Sequence, residues 1–225
     1  MTRVAIPSFP TFSFGSSLIF HSQRMSAVVH ALTDIVTPRP AVLIPVADGT
    51  EEIELAALST VLAEGGVRLT LASVKLDPDP PDRFVKLMHG LEIQTDTLLE
   101  HCVNKDYDAI ILVGGEGTDT LAESKLVLEF IRYQQHTGRL FGASGTAPTD
   151  VFLHHGIVEG PITCAPSVAK QAGELYRSDA VVLSGKCITS QGPATALLFG
   201  LEILKVLRGD VVVKQVMETM VLNKF

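Results

Sequence analysis

Cysteine is scarce in this sequence: its 225 residues include only Cys102, Cys164 and Cys187. The number is odd and no two of them have CxxC spacing, so a disulfide framework and a zinc site are not expected. The only adjacent histidines are His154 and His155. Neighbouring side chains on a helix point in different directions, so this pair makes a poor chelate. We therefore predict no metal, no cofactor and a reducing compartment.

Long apolar runs and basic clusters are also missing. No apolar stretch approaches the ~20 residues that span a bilayer. The net charge is −7, and the body of the chain has no basic stripe. We therefore expect neither a membrane nor nucleic acid as a partner. The chain has instead 46% hydrophobic and 19% charged residues, which is typical of a globular domain with one large core.

Acidic residues are absent from the first part of the chain, residues 1–33. Acid-poor N-termini that contain Arg and Ser resemble organellar transit peptides. An equally weighted alternative is that translation begins at Met25. On either interpretation, residues 1–38 are an N-terminal extension and residues 39–225 are the folded domain. The expected location is the cytoplasm, or the mitochondrion if the transit peptide is genuine.

From residue 41 onward, strand patterns and helix patterns alternate. Residues 41–47 form a continuous apolar run, as expected of a strand that a parallel sheet buries on both faces, and residues 107–113 are predicted as a further buried strand. Residues 51–64 carry apolar side chains at a helical period, and Gly65 ends that helix. Repeated units of this kind predict an α/β fold with a mostly parallel sheet between two helical layers. Functional sites in such sheets lie beyond the carboxyl ends of the strands.

One predicted strand, residues 140–143, runs into a turn of small residues, 142–146, before the next helix. Elbows of this type hold the nucleophile in many α/β enzymes, yet this turn contains no cysteine. Ser144 is a candidate nucleophile, but Gly145 follows it directly, and the G-x-S-x-G pattern needs its glycine one position later. No histidine has an identifiable spacing for the base. Thr146 is interpreted as a helix cap.

Four segments occur in an order and spacing that are specific when taken together. They are Ala47-Asp-Gly-Thr-Glu-Glu-Ile-Glu54, Leu112-Val-Gly-Gly115, Ala147-Pro-Thr149 and Ser190-Gln-Gly-Pro-Ala-Thr195. Through them, residues 40–222 resemble the ThiJ/PfpI family, whose fold is that of class I glutamine amidotransferases. The resemblance implies a flavodoxin-like, Rossmann-like three-layer sandwich. It also implies a homodimer.

The same resemblance implies where the site lies. The family's buried glutamate falls on Glu54, and its amide-donating glycine falls on Gly115. The elbow cysteine falls on Gly145, and the histidine of a later loop falls near Ala165. Both reactive groups are therefore expected to be missing, and covalent catalysis and cysteine oxidation are lost together.

These assignments predict a family member without its usual chemistry, in a binding, chaperone-like or stress-response role. Glu54 remains as a residual acid. The alternative is an active small-molecule enzyme, glyoxalase- or deglycase-like or related to the family's thiazole monophosphate biosynthesis label. It would use Glu54 with Ser144, or with Cys164, which lies one residue before the histidine position. In either case a small molecule is expected in an elbow pocket lined by Gly115, Ser144, Gly145, Thr146, Cys164 and Ala165.

Overall fold

A computed structural model describes residues 38–76 and 82–222. The strands are β1 (Ala41–Val46), β2 (Arg68–Ser73), β3 (Phe84–Lys86), β4 (Glu92–Gln94), β5 (Thr97–Leu98), β6 (Ala109–Leu112), β7 (Leu140–Ala143), β8 (Val181–Ser184) and β9 (Cys187–Ser190). Among the described residues, seven strands form one sheet in the order β5-β2-β1-β6-β7-β9-β8. Its neighbours run parallel except β8 and β9, and β3 and β4 form a separate antiparallel hairpin.

Helices cover both faces of this sheet. The α-helices are α1 (Glu52–Glu64), α2 (Thr118–Glu123), α3 (Lys125–Thr137), α4 (Ala169–Ala172), α5 (Ala196–Arg208) and α6 (Asp210–Thr219). Apolar side chains of α1, α5 and α6 pack on one face, and those of α2, α3 and α4 contribute to the core on the other. The predicted α/β sandwich with a mostly parallel sheet is confirmed.

The central strands are buried on both faces, as their apolar runs predict. In β1, Leu43 enters one core, whereas Val42 and Ile44 enter the other. In β6, Ile110 and Ile111 divide between the two cores in the same way. Because side chains alternate along a strand, continuous hydrophobicity is what a strand between two helical layers requires.

Four neighbouring strands bring the candidate site together. The strands β1, β6, β7 and β9 are adjacent in the sheet and parallel to one another. Their carboxyl ends therefore lie at one edge, and the segments that follow them begin at Ala47, Val113, Ser144 and Gln191. This edge is where parallel α/β sheets carry their sites.

Two elements differ from their sequence patterns. Residues 97–103 have a helical pattern, but Thr97 and Leu98 pair with β2 and extend the sheet, and only the single 3₁₀ turn Leu99–Cys102 follows. After the elbow, Pro148–Leu153 forms a π-helical turn, in which the His154 N–H bonds the Thr149 carbonyl. Wider turns of this kind are frequent at functional sites.

The predicted N-terminal extension falls mostly on residues 1–37, which lie outside the described part. The choice between a transit peptide and a start at Met25 stays a prediction. The described residues from Pro40 onward belong to one compact unit. In the part of the chain that the structure describes, none of the helices has both the length and the apolar character needed to cross a bilayer.

Candidate functional site

The start of α1 fixes the position of Glu54. Glu51 is the N-cap residue, and its Oε2 accepts the Glu54 N–H at 2.6 Å. The preceding turn is closed by the Thr50 hydroxyl, which donates to the Ala47 carbonyl at 2.8 Å. Capping satisfies amide groups that the first helical turn leaves without partners. Glu54 therefore lies in the first turn of α1 with a fixed backbone, and the residue is only 3% exposed.

The Glu54 carboxylate is held by two donors on neighbouring strand ends. Its Oε2 accepts the Gly114 N–H at 3.1 Å, and it also accepts the Ser144 hydroxyl. Burial raises the pKa of Glu54 above its ordinary value, the hydrogen bonds from Ser144 and Gly114 oppose that rise, and the Glu51 charge adds to it. The result is a buried acid with a raised pKa at the carboxyl edge of the sheet.

Gly145 faces the second oxygen of this carboxylate. A Cβ built on Gly145 would lie 2.7 Å from Glu54 Oε1 and 3.1 Å from Gly114 Cα. The φ angle of Gly145 is +63°, in the left-handed region that glycine adopts without strain. A side chain at position 145 would thus point directly at the acid. This is the geometry expected for the elbow position and the glutamate that the resemblance pairs.

Ala165 adjoins the elbow through the backbone. Its N–H donates to the Gly145 carbonyl at 2.7 Å, and the Gly145 N–H donates to the Ser190 carbonyl at 3.1 Å. The elbow is therefore tied on both sides to loops at the same edge. The position assigned to the family's histidine lies beside the position assigned to its cysteine, and neither residue has a reactive side chain.

Cys164 belongs to the core. It is 0% exposed and packs in the hydrophobic cluster that contains Val151 and Phe152. Burial and the nearby Asp150 charge raise the pKa of the Cys164 thiol to about 11. Thiolates, not thiols, are the nucleophiles, so this cysteine has the character of a structural residue. Burial similarly raises the pKa of Cys187 to about 12.

The two hydroxyl residues of the elbow make different contacts. Ser144 is 1% exposed, and its hydroxyl donates to Glu54. Thr146 is half-buried, and its Oγ1 lies 3.2 Å from Thr118 Oγ1, which also bonds Asp150 at 3.0 Å. The turn that follows has no side-chain cap, so Thr146 does not perform the capping role that its position suggests.

The glycine that contacts the acid is Gly114. Gly115, the predicted amide donor, instead forms a bridge with Thr50. Its φ is +107°, and a Cβ there would lie 2.4 Å from the Gly49 carbonyl oxygen, so only glycine fits. The role of the Gly115 amide toward a bound ligand stays a prediction.

One cluster of side chains at this edge is not predicted from the sequence. His89 Nδ1 lies 2.7 Å from Glu52 Oε2 and 4.0 Å from Glu51 Oε1. The sequence suggests only first-turn acids favoured by the helix dipole and, separately, a hairpin at His89-Gly90. The hairpin follows β2, β2 is the sheet neighbour of β1, and β1 leads into α1. This order along the chain is the signal that could place His89 near Glu52.

Comparison with known proteins identifies relatives that span most of the chain. The model of the DJ-1/PfpI family matches residues 40–206. Glutathione-independent glyoxalase DJR-1.2 of Caenorhabditis elegans is 38% identical over 171 residues, covering 75% of this chain and 88% of the relative. Protein DJ-1alpha of Drosophila melanogaster is 38% identical over 184 residues, covering 79% and 82%.

Solved structures agree with the sequence relatives. The crystal structure of Drosophila melanogaster DJ-1beta superposes with a TM-score of 0.76 at 32% identity, covering 81% of this chain and 98% of that one. Oxidized Toxoplasma gondii DJ-1 gives a TM-score of 0.76 at 26% identity, with the same coverage of 81% and 98%. The similarity therefore extends over nearly the whole length of these neighbours.

Proposed function

This chain belongs to the DJ-1/PfpI family, and from that premise we propose that it binds a small polar molecule at the elbow without cysteine chemistry. The observation that carries the proposal is the position of Gly145. A side chain there would meet the buried Glu54 carboxylate, but glycine supplies no reacting group. The proposed pocket keeps the acid of the family's site and lacks its nucleophile.

Glu54 supplies the polar contact for such a ligand. Its Oε2 accepts hydrogen bonds from Gly114 and Ser144, whereas Oε1 is directed at the Cβ position of Gly145. Burial raises the pKa of Glu54, so its protonated form persists to a higher pH than that of an exposed glutamate. The protonated carboxyl donates a hydrogen bond, and the ionised one accepts. A small hydroxylated or carbonyl-bearing molecule has the complementary groups.

The cysteines support a role without covalent catalysis. Cys102, Cys164 and Cys187 are all buried. Burial raises the pKa of Cys164 to about 11 and that of Cys187 to about 12, so both thiols stay protonated near neutral pH. A binding function, in a chaperone-like or stress-response setting, does not need a thiolate.

We further propose that the chain forms a homodimer around the start of α1. Ile53 is 58% exposed and Leu91 is 62% exposed, and Met88 is also exposed. They flank Glu52 and His89, which contact each other. Clustered exposed apolar side chains favour a protein interface. Light scattering of the full chain and of Ile53→Asp tests this: a dimer that the substitution converts to monomer supports it, and a monomeric wild type contradicts it.

Ligand binding is tested by NMR titration of the ¹⁵N-labelled full chain with hydroxyacetone and with lactate. We expect saturable shifts of the Gly145, Gly114 and Ala165 amide signals with at least one of them. Gly145→Ala places a methyl group against Glu54 and abolishes the shifts. Gly138→Ala, at a surface glycine with a similar φ of +68°, leaves them unchanged. Binding that persists in Gly145→Ala contradicts the proposal.

An active small-molecule enzyme is the second candidate. Two relatives are named glutathione-independent glyoxalases, one from Caenorhabditis elegans at 38% identity and one from Schizosaccharomyces pombe at 33%. In this chain Glu54 would transfer the proton, with Ser144 as its hydrogen-bonded partner. Methylglyoxal consumption that disappears in Glu54→Ala but persists in Cys164→Ala favours this candidate over the binding function.

A further inference from the structure

The Glu51, Glu52 and His89 side chains meet where the β3–β4 hairpin touches the start of α1. One ligand atom from each lies within 4.8 Å of the others. We propose that these three residues form a site for a divalent transition-metal ion, and that Zn²⁺ fits its donor set. We call it the hairpin site. It lies outside the elbow, within the surface proposed above for the homodimer, and it does not depend on the function proposed for Gly145 and Glu54.

The geometry brings one nitrogen and two oxygens together. His89 Nδ1 is 2.7 Å from Glu52 Oε2 and 4.0 Å from Glu51 Oε1. Tetrahedral Zn²⁺ with ligand bonds of about 2.0–2.1 Å needs ligand atoms roughly 3.3 Å apart. The two observed distances lie on either side of that value. The His89 side chain is 66% exposed, so a small ring rotation can equalise them.

Both carboxylates are already oriented by their other oxygens. Glu51 Oε2 accepts the Glu54 N–H at 2.6 Å, and Glu52 Oε1 accepts the His89 backbone N–H at 2.5 Å. Hydrogen bonds of this kind fix ligand groups and tune metal sites. Each glutamate therefore presents its remaining oxygen to the His89 ring.

Glu51 has one oxygen that faces the His89 ring. Its side chain is 7% exposed, and among the hydrogen bonds of the described residues none goes to Oε1. That oxygen faces His89 Nδ1 across 4.0 Å, which is too long for a hydrogen bond. Oε1 is not one of the buried side-chain atoms that lack a partner, so it is open to solvent and to a metal ion. A bound metal ion would replace the solvent at this oxygen.

The backbone holds the hairpin in place for this site. The Met88 N–H donates to the Thr50 carbonyl at 3.0 Å, and the Gly49 N–H donates to the Lys86 carbonyl at 2.8 Å. His89 is thus anchored beside α1 although 37 residues separate it from Glu52. The Glu116 carboxylate adds negative charge near the ring. A cation at the hairpin site would connect the hairpin to α1.

The donor set selects among metals. Mg²⁺ and Ca²⁺ prefer six or more oxygen ligands, and a site with an imidazole and only two carboxylates serves them poorly. Imidazole together with carboxylate suits Zn²⁺ and its transition-metal neighbours. Three protein ligands leave a fourth position open to water or to a ligand, as in zinc sites that are not purely structural.

Calorimetric titration of the untagged full chain with ZnCl₂ tests the hairpin site, with MgCl₂ as the comparison ion. We expect one Zn²⁺ per chain, no comparable Mg²⁺ binding, and a rise in Tm with Zn²⁺ because the ion binds the folded state. His89→Ala should weaken Zn²⁺ binding by at least about tenfold, the loss seen when even supporting groups of metal sites are removed. It should also abolish the Tm rise.

The controls separate this site from incidental histidine binding. His136→Ala removes an exposed histidine elsewhere and should leave affinity and Tm shift unchanged. Glu52→Gln should weaken binding as His89→Ala does, with circular dichroism confirming that it folds. Wild-type protein that shows neither Zn²⁺ heat nor a Tm shift overturns the proposal. Equal affinity of wild type and His89→Ala overturns it as well.

Discussion

The backbone N–H of Ala165 donates a hydrogen bond to the carbonyl oxygen of Gly145 at 2.7 Å. Twenty residues apart in sequence, these two positions adjoin at the carboxyl edge of the sheet. They are the positions to which the family resemblance assigns a histidine and a cysteine. On that assignment, the proposed binding site has neither of these side chains and keeps the acid of Glu54.

Placing a cysteine at position 145 tests whether Gly145 occupies the position of the family's elbow cysteine. In Gly145→Cys, the new side chain points at the Glu54 carboxyl. We expect mild peroxide to convert this cysteine selectively to the sulfinic acid, because the raised pKa of Glu54 lets its carboxyl donate a hydrogen bond to the new thiolate, whereas burial raises the pKa of the Cys164 and Cys187 thiols. Intact-mass spectrometry should show two added oxygens in the variant and none in the wild type. Gly145→Ser, which has no thiol, is the matched control.

Alanine at the elbow should destabilise the protein more than alanine at a comparable surface turn. Both Gly145 and Gly138 have left-handed φ angles, +63° and +68°. The left-handed φ costs alanine about 1–2 kcal/mol of stability in each variant. Crowding against Glu54 adds about 1–3 kcal/mol only in Gly145→Ala. Urea unfolding of Gly145→Ala and Gly138→Ala measures the difference. Equal losses in the two variants would contradict the close approach of Gly145 to Glu54.

Ser144 and Glu54 should be energetically coupled. Ser144→Ala leaves a buried carboxylate with one donor fewer, which costs about 1–3 kcal/mol. In a Glu54→Ala background the same serine substitution should cost much less, since the acceptor is gone. A double-mutant cycle in urea should give a coupling energy of about 0.5–3 kcal/mol. Additive effects would show that the hydroxyl contact contributes nothing.

The native thiols should be unreactive. The pKa of Cys164 is raised to about 11 and that of Cys187 to about 12 by burial. A raised thiol pKa means that the neutral form persists below that pH, so the thiolate fraction at pH 8 is roughly one thousandth for Cys164. Ellman's reagent at pH 8 should label none of the three cysteines in the folded chain and all three in guanidinium. Rapid labelling of Cys164 in the native protein would favour a displaced reactive thiol.

The sequence predicts the layers of the fold because a strand buried between two helical layers needs apolar residues on both of its faces, and this shows as a continuous apolar run. The apolar runs that contain Leu43 and Ile110 require both faces to be covered, and the structure has them buried on both. The short strand at Thr97 is not predictable in this way. Its pairing with Ala72 in β2 is a tertiary contact that overrides a helical pattern.

The sequence predicts which residues lie at the site but not the contacts that their side chains make. The resemblance brings Glu54 and Gly145 to one place, and in the structure they face each other. The hydroxyl contact of Ser144 with Glu54 depends on the direction that the elbow gives the serine side chain, which no spacing encodes. The contact of His89 with Glu52 spans 37 residues and depends on how the hairpin folds back on α1.

Methylglyoxal consumption by the purified wild-type chain distinguishes an elbow that only binds from one that catalyses. Glu54→Ala is measured beside it to define the background of direct reaction with protein side chains. Without an elbow thiolate, we expect the wild type to consume methylglyoxal no faster than Glu54→Ala. Multiple-turnover consumption by the wild type that Glu54→Ala abolishes would contradict a binding function, because the elbow would then catalyse the reaction without a cysteine.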